Sequence, residues 1–310
     1  MKISIVIPTY NEEENIEMVY GEVTKMFRND LPAYDYDIIF IDNHSKDKTQ
    51  NLITELYGKD PEHVKAIFNA RNFGQRRSHF YGLTQADGDC AVLLHADLQN
   101  PLSAVVEFVR KWEQGAKVVI GVYDGSLENP ILTFLRTCYY KVMKTISNVE
   151  QIEHFSDFEL LDKSFLDVLR KLDDPSPYLR GIVSELGFNM EIVHYVKNDR
   201  RHGKSSANFF VLYDFAMNGI TSYSSGILRA ATVFGFILSL ISFLIAVVTF
   251  VRKIFYWNEF QIGIAAISTG LFFMMSVVLF FIGLLGEYII NINVRIIHRP
   301  LVVEEKRLGF

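Results

Sequence analysis

From Ala230 to Val251 the chain runs for 22 residues without a charged side chain, and from Gly263 to Gly286 it does so again for 24. About 20 apolar residues cross the hydrocarbon core of a bilayer as a helix. A buried helix of a soluble domain seldom reaches that length with no charge at all. The linker from Arg252 to Ile262 is short, so the expectation is a hairpin of two transmembrane helices over residues 230–290, with both ends on one side. Arg229, Arg295, Arg299, Lys306 and Arg307 flank the outer ends, against Arg252 and Lys253 in the linker. This bias is modest but points the outer ends to the cytoplasm. The hydrophobic share of 49% and the aromatic share of 14% agree with lipid contact.

The remaining chain must fold outside the bilayer. Met1 to Pro8 reads as a strand and a turn, without the apolar core of a secretory leader, so the N-terminal part is expected to stay in the cytoplasm. Ile3 to Ile7, Tyr36 to Ile41, Val64 to Phe68 and Cys90 to Leu94 are short apolar runs, and a further strand runs from Lys117 to Gly121. The first four end in polar clusters and alternate with helical stretches running to about Phe27 and over Lys48 to Tyr57, Arg76 to Ala86 and Pro101 to Gln114. Buried parallel strands read as continuous apolar runs, and strand-helix alternation gives a doubly wound, Rossmann-like α/β domain. Ligands bind such sheets beyond the carboxyl ends of the strands, where Asp42 and Asp97 stand. Phe158 to Leu161 and a helix from Lys163 to Leu172 follow. Leu132 to Ile146 reads equally as a surface-lying or a core helix, and Phe209 to Leu228 as an amphipathic interfacial one. The domains expected are therefore residues 1–206, an interfacial helix over 207–229, the hairpin over 230–290 and a cytoplasmic tail over 291–310. A net charge of -5 argues against a general nucleic-acid binder, and Cys90 and Cys138 do not make a disulfide framework.

Val6-Ile-Pro-Thr-Tyr-Asn-Glu12, Asp42-Asn-His-Ser45, Asn72-Phe-Gly-Gln75 and Asp97-Leu-Gln99 resemble the motifs of family 2 glycosyltransferases of GT-A fold. Ser156-Asp-Phe158, Arg200-Arg-His-Gly-Lys-Ser205, Ser225-Gly-Ile-Leu-Arg229 and Gly286-Glu-Tyr-Ile289 narrow the resemblance to the polyprenyl-phosphate glycosyltransferases. That resemblance covers essentially the whole chain. It implies inverting transfer of one sugar from a nucleotide diphosphate sugar, UDP-glucose or a similar UDP-hexose, to polyprenyl (undecaprenyl) phosphate at the inner membrane. The catalytic domain would face the cytoplasm, and the product would serve surface glycan modification. It also implies a tetramer. A non-catalytic nucleotide-sugar-binding subunit is the alternative, motivated by the departures below.

The resemblance assigns roles residue by residue. Pro8, Tyr10, Glu12, Asp42, Asn72, Gln75 and Asp97 would surround the nucleotide sugar. Asp157 would face the acceptor or act as base, although a phosphate ester with a second pKa near 6 is already largely ionised at neutral pH. Arg200, Arg201, Lys204 and Ser205 would hold phosphate, Arg as a fork and Lys as a point charge. Mg²⁺ or Mn²⁺ is implied by an Asp-x-Asp-x-Gln motif that here reads His95-Ala-Asp97-Leu-Gln99. Imidazole suits transition metals better than Mg²⁺. His95 is therefore expected either to join Asp97 and Gln99 in a weaker metal site or to bond the diphosphate directly. Asn43 and His44 replace a carboxylate and a glycine, which leaves nucleotide preference open. An arginine expected after the Lys117 to Gly121 strand is absent from Val122-Tyr-Asp124. Arg136 could substitute for it.

Overall fold

The computed structural model describes residues 1–123, 155–172, 174–198, 264–296 and 299–310, with scattered positions between 233 and 255. Most of the first uncharged run, the segments 132–146 and 209–228, Arg136 and the basic loop residues Arg200, Arg201, Lys204 and Ser205 lie outside the described residues.

Four parallel strands form the first half of the sheet: β1 (Lys2–Thr9), β2 (Asp35–Asp42), β3 (Val64–Asn69) and β4 (Cys90–Leu93). Helices α1 (Ile16–Asp30), α2 (Thr49–Lys59) and α3 (Gln75–Gln85) connect them, and α4 (Leu102–Glu113) leads on to β5 (Val118–Tyr123). The predicted alternation is present to within a few residues at most ends. Helix α1 begins only after Asn15, its cap position, because residues 10–14 are drawn into the loop that tops β2.

The chain then departs from a simple doubly wound order. β6 (Phe155–Asp162) enters antiparallel between β4 and β5, followed by α5 (Lys163–Leu169), α6 (Leu179–Glu185) and β7 (Met190–Tyr195), which pairs parallel to β5. The C-terminal segment returns to the sheet as β8 (Glu304–Leu308), antiparallel to β3. The result is a mixed eight-stranded sheet of order β7-β5-β6-β4-β1-β2-β3-β8. The local sequence of β6 reads as a strand, but its direction is set by the strands it joins.

Each sheet face carries its own core. One packs Ile5, Ile7, Phe40 and Val92 against Val19, Phe27 and Phe108 of α1 and α4; the other packs Val6, Ile39 and Leu161 against Phe80, Phe165 and Ile182 of α3, α5 and α6. Alternate residues of each strand serve opposite faces, and strands covered on both faces read as unbroken apolar runs. Gly82 is where α3 comes closest: a Cβ there would meet Val6 Cγ1 at 2.7 Å.

Helix α7 (Ile264–Ile296) has 33 residues and carries the second uncharged run. Its side chains are described only in part, and Ile267, Leu271, Leu279 and Ile289 among them are 60% or more exposed. Among the described residues, no helix is long and apolar enough to cross a membrane.

Candidate active site

The carboxyl ends of β1, β2, β3 and β4 share one edge of the sheet because these strands are parallel. β6 runs the other way, so its N-terminal end reaches the same edge. Leu93 of β4 pairs with Glu159 of β6, and two residues further along each strand stand His95 and Asp157. Antiparallel pairing thus brings together residues that lie far apart in the sequence.

Backbone strain marks this edge. Among the described residues other than glycine, positive φ occurs at Asn11 (55°), His44 (65°), Leu98 (50°) and Asp157 (54°). Each lies just beyond or within a strand end at the crevice. Left-handed backbone is costly for a residue with a Cβ, most of all for an apolar one such as Leu98. Such conformations persist only where surrounding contacts enforce them, and they collect at functional sites. At His44, imidazole occupies the backbone geometry that a glycine would adopt without cost.

The contacts that enforce them are visible. The backbone N–H of Asn11 donates to Ser45 Oγ at 2.8 Å, that of Lys46 to Asn11 Oδ1 at 2.8 Å, and that of Glu12 to Thr49 Oγ1 at 2.9 Å. These bonds stitch the loop after β1 to the loop after β2. Tyr10 is left 44% exposed at the rim, while Pro8 still belongs to β1 and pairs with Ile41. Glu12 accepts from Asn15 Nδ2 at 2.6 Å. Asp42 is fully buried; it accepts from Gln50 Nε2 at 2.7 Å, from the Ser45 N–H at 3.0 Å and from the Ser45 hydroxyl. Its carboxylate is therefore committed to holding the loop between β2 and α2.

Asn43 ties β2 to the next loop. Its Nδ2 donates to Asn72 Oδ1 at 2.7 Å, and its Oδ1 accepts from the Phe73 N–H at 2.9 Å and from Asn69 Nδ2 at 3.2 Å. An aspartate could not make the first of these bonds, since a carboxylate only accepts. The departure at Asn43 thus has a structural use. Asn72 and Gln75 are exposed on the same loop and the first turn of α3.

At the end of β4, Asp97 is 9% exposed and its Oδ1 accepts from the Gln99 N–H at 3.3 Å. Asn198 clamps this turn: its Nδ2 donates to the Leu98 carbonyl at 3.2 Å, and its N–H to the Gln99 carbonyl at 2.9 Å. The described chain before the basic loop is thereby anchored to the Asp97 turn. Burial drives the pKa of His95 down, and its Nδ1 lies 3.1 Å from Asn100 Nδ2. The His79 ring lies 5.6 Å away; burial, reinforced by His95, pushes its pKa to about 3.

Asp157 is held by Arg180 of α6, whose Nε donates to Oδ1 at 2.8 Å and whose Nη2 donates to Oδ2 at 3.1 Å. Burial works to raise the Asp157 pKa, but Arg180, His79 and His95 outweigh it and hold the carboxyl below its usual range. Glu159, two residues on and fully buried, is the opposite case. Burial and the Asp157 charge push its pKa well up, and neither oxygen has a hydrogen-bond partner among the described residues. Two carboxyl groups two residues apart are thus shifted in opposite directions, one by its arginine partner and the other by burial.

Asp97, Gln99, His95 and Asp157 thus meet at one edge, with the Asp42 and Asn72 loops beside them. Arg180, His79, Glu159, Asn100 and Tyr195 belong to the same cluster and were not singled out by sequence reasoning. Arg180 follows the Pro175 and Pro177 breaks, where no periodicity announced a helix. Among the described residues, no group of three or more His, Cys, Asp or Glu side chains is placed to hold a metal ion. With Asp157 committed to Arg180, Asp97 and Gln99 provide oxygen donors. Mg²⁺ accepts so small a protein set when substrate phosphates and waters complete its shell.

The family profile "Glycosyl transferase family 2" matches residues 4–167. The chain belongs to glycosyltransferase family 2. It is an enzyme that transfers sugar. Its likeness extends beyond the family domain. The chain is 33% identical over 310 residues to a bactoprenol glucosyl transferase of Shigella phage SfV, covering 99% of this chain and 100% of that protein. It is 31% identical to a prophage bactoprenol glucosyl transferase homolog of Escherichia coli K12, covering 97% of each. Among solved structures, a glucosyl-3-phosphoglycerate synthase of Mycobacterium tuberculosis superposes with a TM-score of 0.48 at 18% identity, over 71% of this chain and 76% of that one.

Proposed function

We propose that this glycosyltransferase moves a single hexose from a UDP-sugar, such as UDP-glucose, to the phosphate of a polyprenyl lipid at the cytoplasmic face of the inner membrane. One observation carries the reading. The likeness to bactoprenol glucosyl transferases runs the full length of the chain, past residue 167 where the family domain ends. It therefore includes α7, whose exposed apolar side chains suit a lipid surroundings rather than water. Arg299 follows α7 closely, and burial together with the charges of Arg71 and Arg299 lowers the Arg77 pKa. Basic side chains beside the end of an apolar helix are what an anionic membrane surface favours.

In this reading an oxygen of the ionised lipid phosphate attacks the anomeric carbon. The bond from that carbon to the β-phosphate oxygen breaks, the nucleoside diphosphate leaves, and configuration inverts. Little proton transfer is required, so positioning carries most of the work. Asp157 faces the acceptor side, fixed by Arg180 and kept ionised. Tyr10, Asn72 and Gln75 line the nucleotide side, where Pro8, Glu12 and Asp42 shape the loops. Arg200, Arg201, Lys204 and Ser205 take up phosphate. A divalent cation, when bound, offsets charge on the departing diphosphate; Asp97 and Gln99 are the residues that would hold it. Incorporation of a surface glycan unit and a tetrameric assembly complete the proposal by family likeness.

The test is transfer itself. Purified full-length protein in detergent is incubated with radiolabelled UDP-glucose, UDP-galactose, UDP-N-acetylglucosamine or GDP-mannose and undecaprenyl phosphate. Label is expected in the lipid extract with one UDP-hexose. Absence of lipid-linked label with every donor overturns the reading. Undiminished transfer in EDTA overturns its metal clause alone.

A further inference from the structure

His95 is tied into a buried chain of hydrogen bonds. Tyr195 Oη of β7 donates to Asn100 Oδ1 at 3.1 Å, which turns the Asn100 amide nitrogen toward His95 Nδ1, also at 3.1 Å. Asn100 is 1% exposed and Tyr195 5%. Tyr195 is itself fixed in place, since its ring lies where a Cβ on Gly121 would stand, 2.9 Å from Tyr195 Cε1, and it meets Phe158 edge-on at 5.3 Å.

An amide NH₂ only donates. A ring nitrogen facing it must therefore accept, and in a neutral imidazole the other nitrogen then carries the hydrogen. A ring whose Nδ1 accepts from an amide is unprotonated there and therefore neutral. Its Nε2 is shut off from solvent and has no hydrogen-bond partner among the described residues. A buried N–H without a partner is rare in folded proteins and costly. This one stands two residues from Asp97, at the edge where ligands bind.

We propose that Tyr195 and Asn100 are positioning residues that hold His95 as an Nε2–H donor for a phosphate oxygen of the nucleotide sugar. In that tautomer His95 has no lone pair free to ligate a metal. The chain would replace part of a carboxylate-bound cation with a direct hydrogen bond. This inference rests on the nucleotide-sugar reading of the site, but its first measurement does not.

The experiment labels the eight histidines of the full chain with ¹⁵N and records long-range ¹H–¹⁵N correlations, with His95→Gln assigning the His95 signals. The expected pattern is that of the Nε2–H tautomer without any ligand. An Nδ1–H tautomer, or an imidazolium at neutral pH, overturns the proposal. Asn100→Asp offers only acceptors and should switch His95 to Nδ1–H. The milder Tyr195→Phe releases the amide and should give a mixture. An unchanged tautomer in both variants also overturns it. UDP, and inorganic pyrophosphate as a second probe, should move the wild-type Nε2–H resonance, and His95→Phe should weaken UDP binding roughly tenfold. Binding without that movement, or no binding of either probe, overturns the phosphate role. The lipid-transfer assay settles the acceptor separately, so a failed acceptor reading leaves these signals interpretable.

Discussion

Replacing Arg180 with Met tests how the site keeps Asp157 charged. The pair is bidentate, at 2.8 and 3.1 Å, and Asp157 is 9% exposed. Removing one partner of a buried ion pair leaves the other charge uncompensated, at a cost of about 3–5 kcal/mol. The sign with pH then follows. In the wild type the folded Asp157 pKa is depressed below its ordinary value of 3.8, so its contribution is present above that value and lost only as pH falls through the lower folded pKa. Without Arg180, burial would raise the Asp157 pKa. The variant should therefore be destabilised at pH 7 and recover part of the loss by pH 5, as Asp157 binds a proton. Thermal unfolding of the detergent-solubilised protein across pH 5–8, with sugar transfer measured alongside, provides the assay. A loss below about 1 kcal/mol that does not vary over this range refutes the reasoning, because the salt bridge would then not be what keeps the carboxylate charged.

Glu159→Gln should be tolerated at pH 7 and should flatten the pH dependence of stability. Because burial raises the folded pKa of this acid above 4.5, it costs stability as pH rises from there, and an amide removes that cost; an unchanged pH profile in unfolding experiments would contradict it. Gly82→Ala should destabilise by about 1–3 kcal/mol in denaturant titrations, since the new methyl would press on Val6 at 2.7 Å in an already filled core. Asp97→Asn should lower transfer by roughly a hundredfold with little change in unfolding midpoint; wild-type turnover would remove Asp97 from its assigned role.

Much of the catalytic half is legible in the sequence because its signals are local. Ile3 to Ile7 must be buried on both faces, and the residues that close each run, such as Asp42 and Asp97, lie where parallel strands end. The motifs carrying the family resemblance are these same strand ends. The signals for the rest are not local. Nothing near Ser156-Asp-Phe158 says that β6 turns back antiparallel beside β4, and so nothing placed Asp157 beside His95. Arg180 lies 23 residues from Asp157 in sequence, and Tyr195 lies 95 from Asn100. The hydrophobic run over Gly263 to Gly286 announced a long helix, and α7 is one. The return of the chain as β8 could not be read from a short charged stretch such as Glu304-Glu-Lys-Arg-Leu308.

The sequence by itself determined the alternation of elements, the apolar strands and the residue types at the sheet edge, because burial and backbone propensity act over a few neighbouring residues. Only the tertiary structure decided which of those residues share a hydrogen bond. That choice fixed the ionised Asp157, the high pKa of Glu159 and the orientation of His95, because each depends on a partner that the fold, and not the local sequence, brings within about 3 Å.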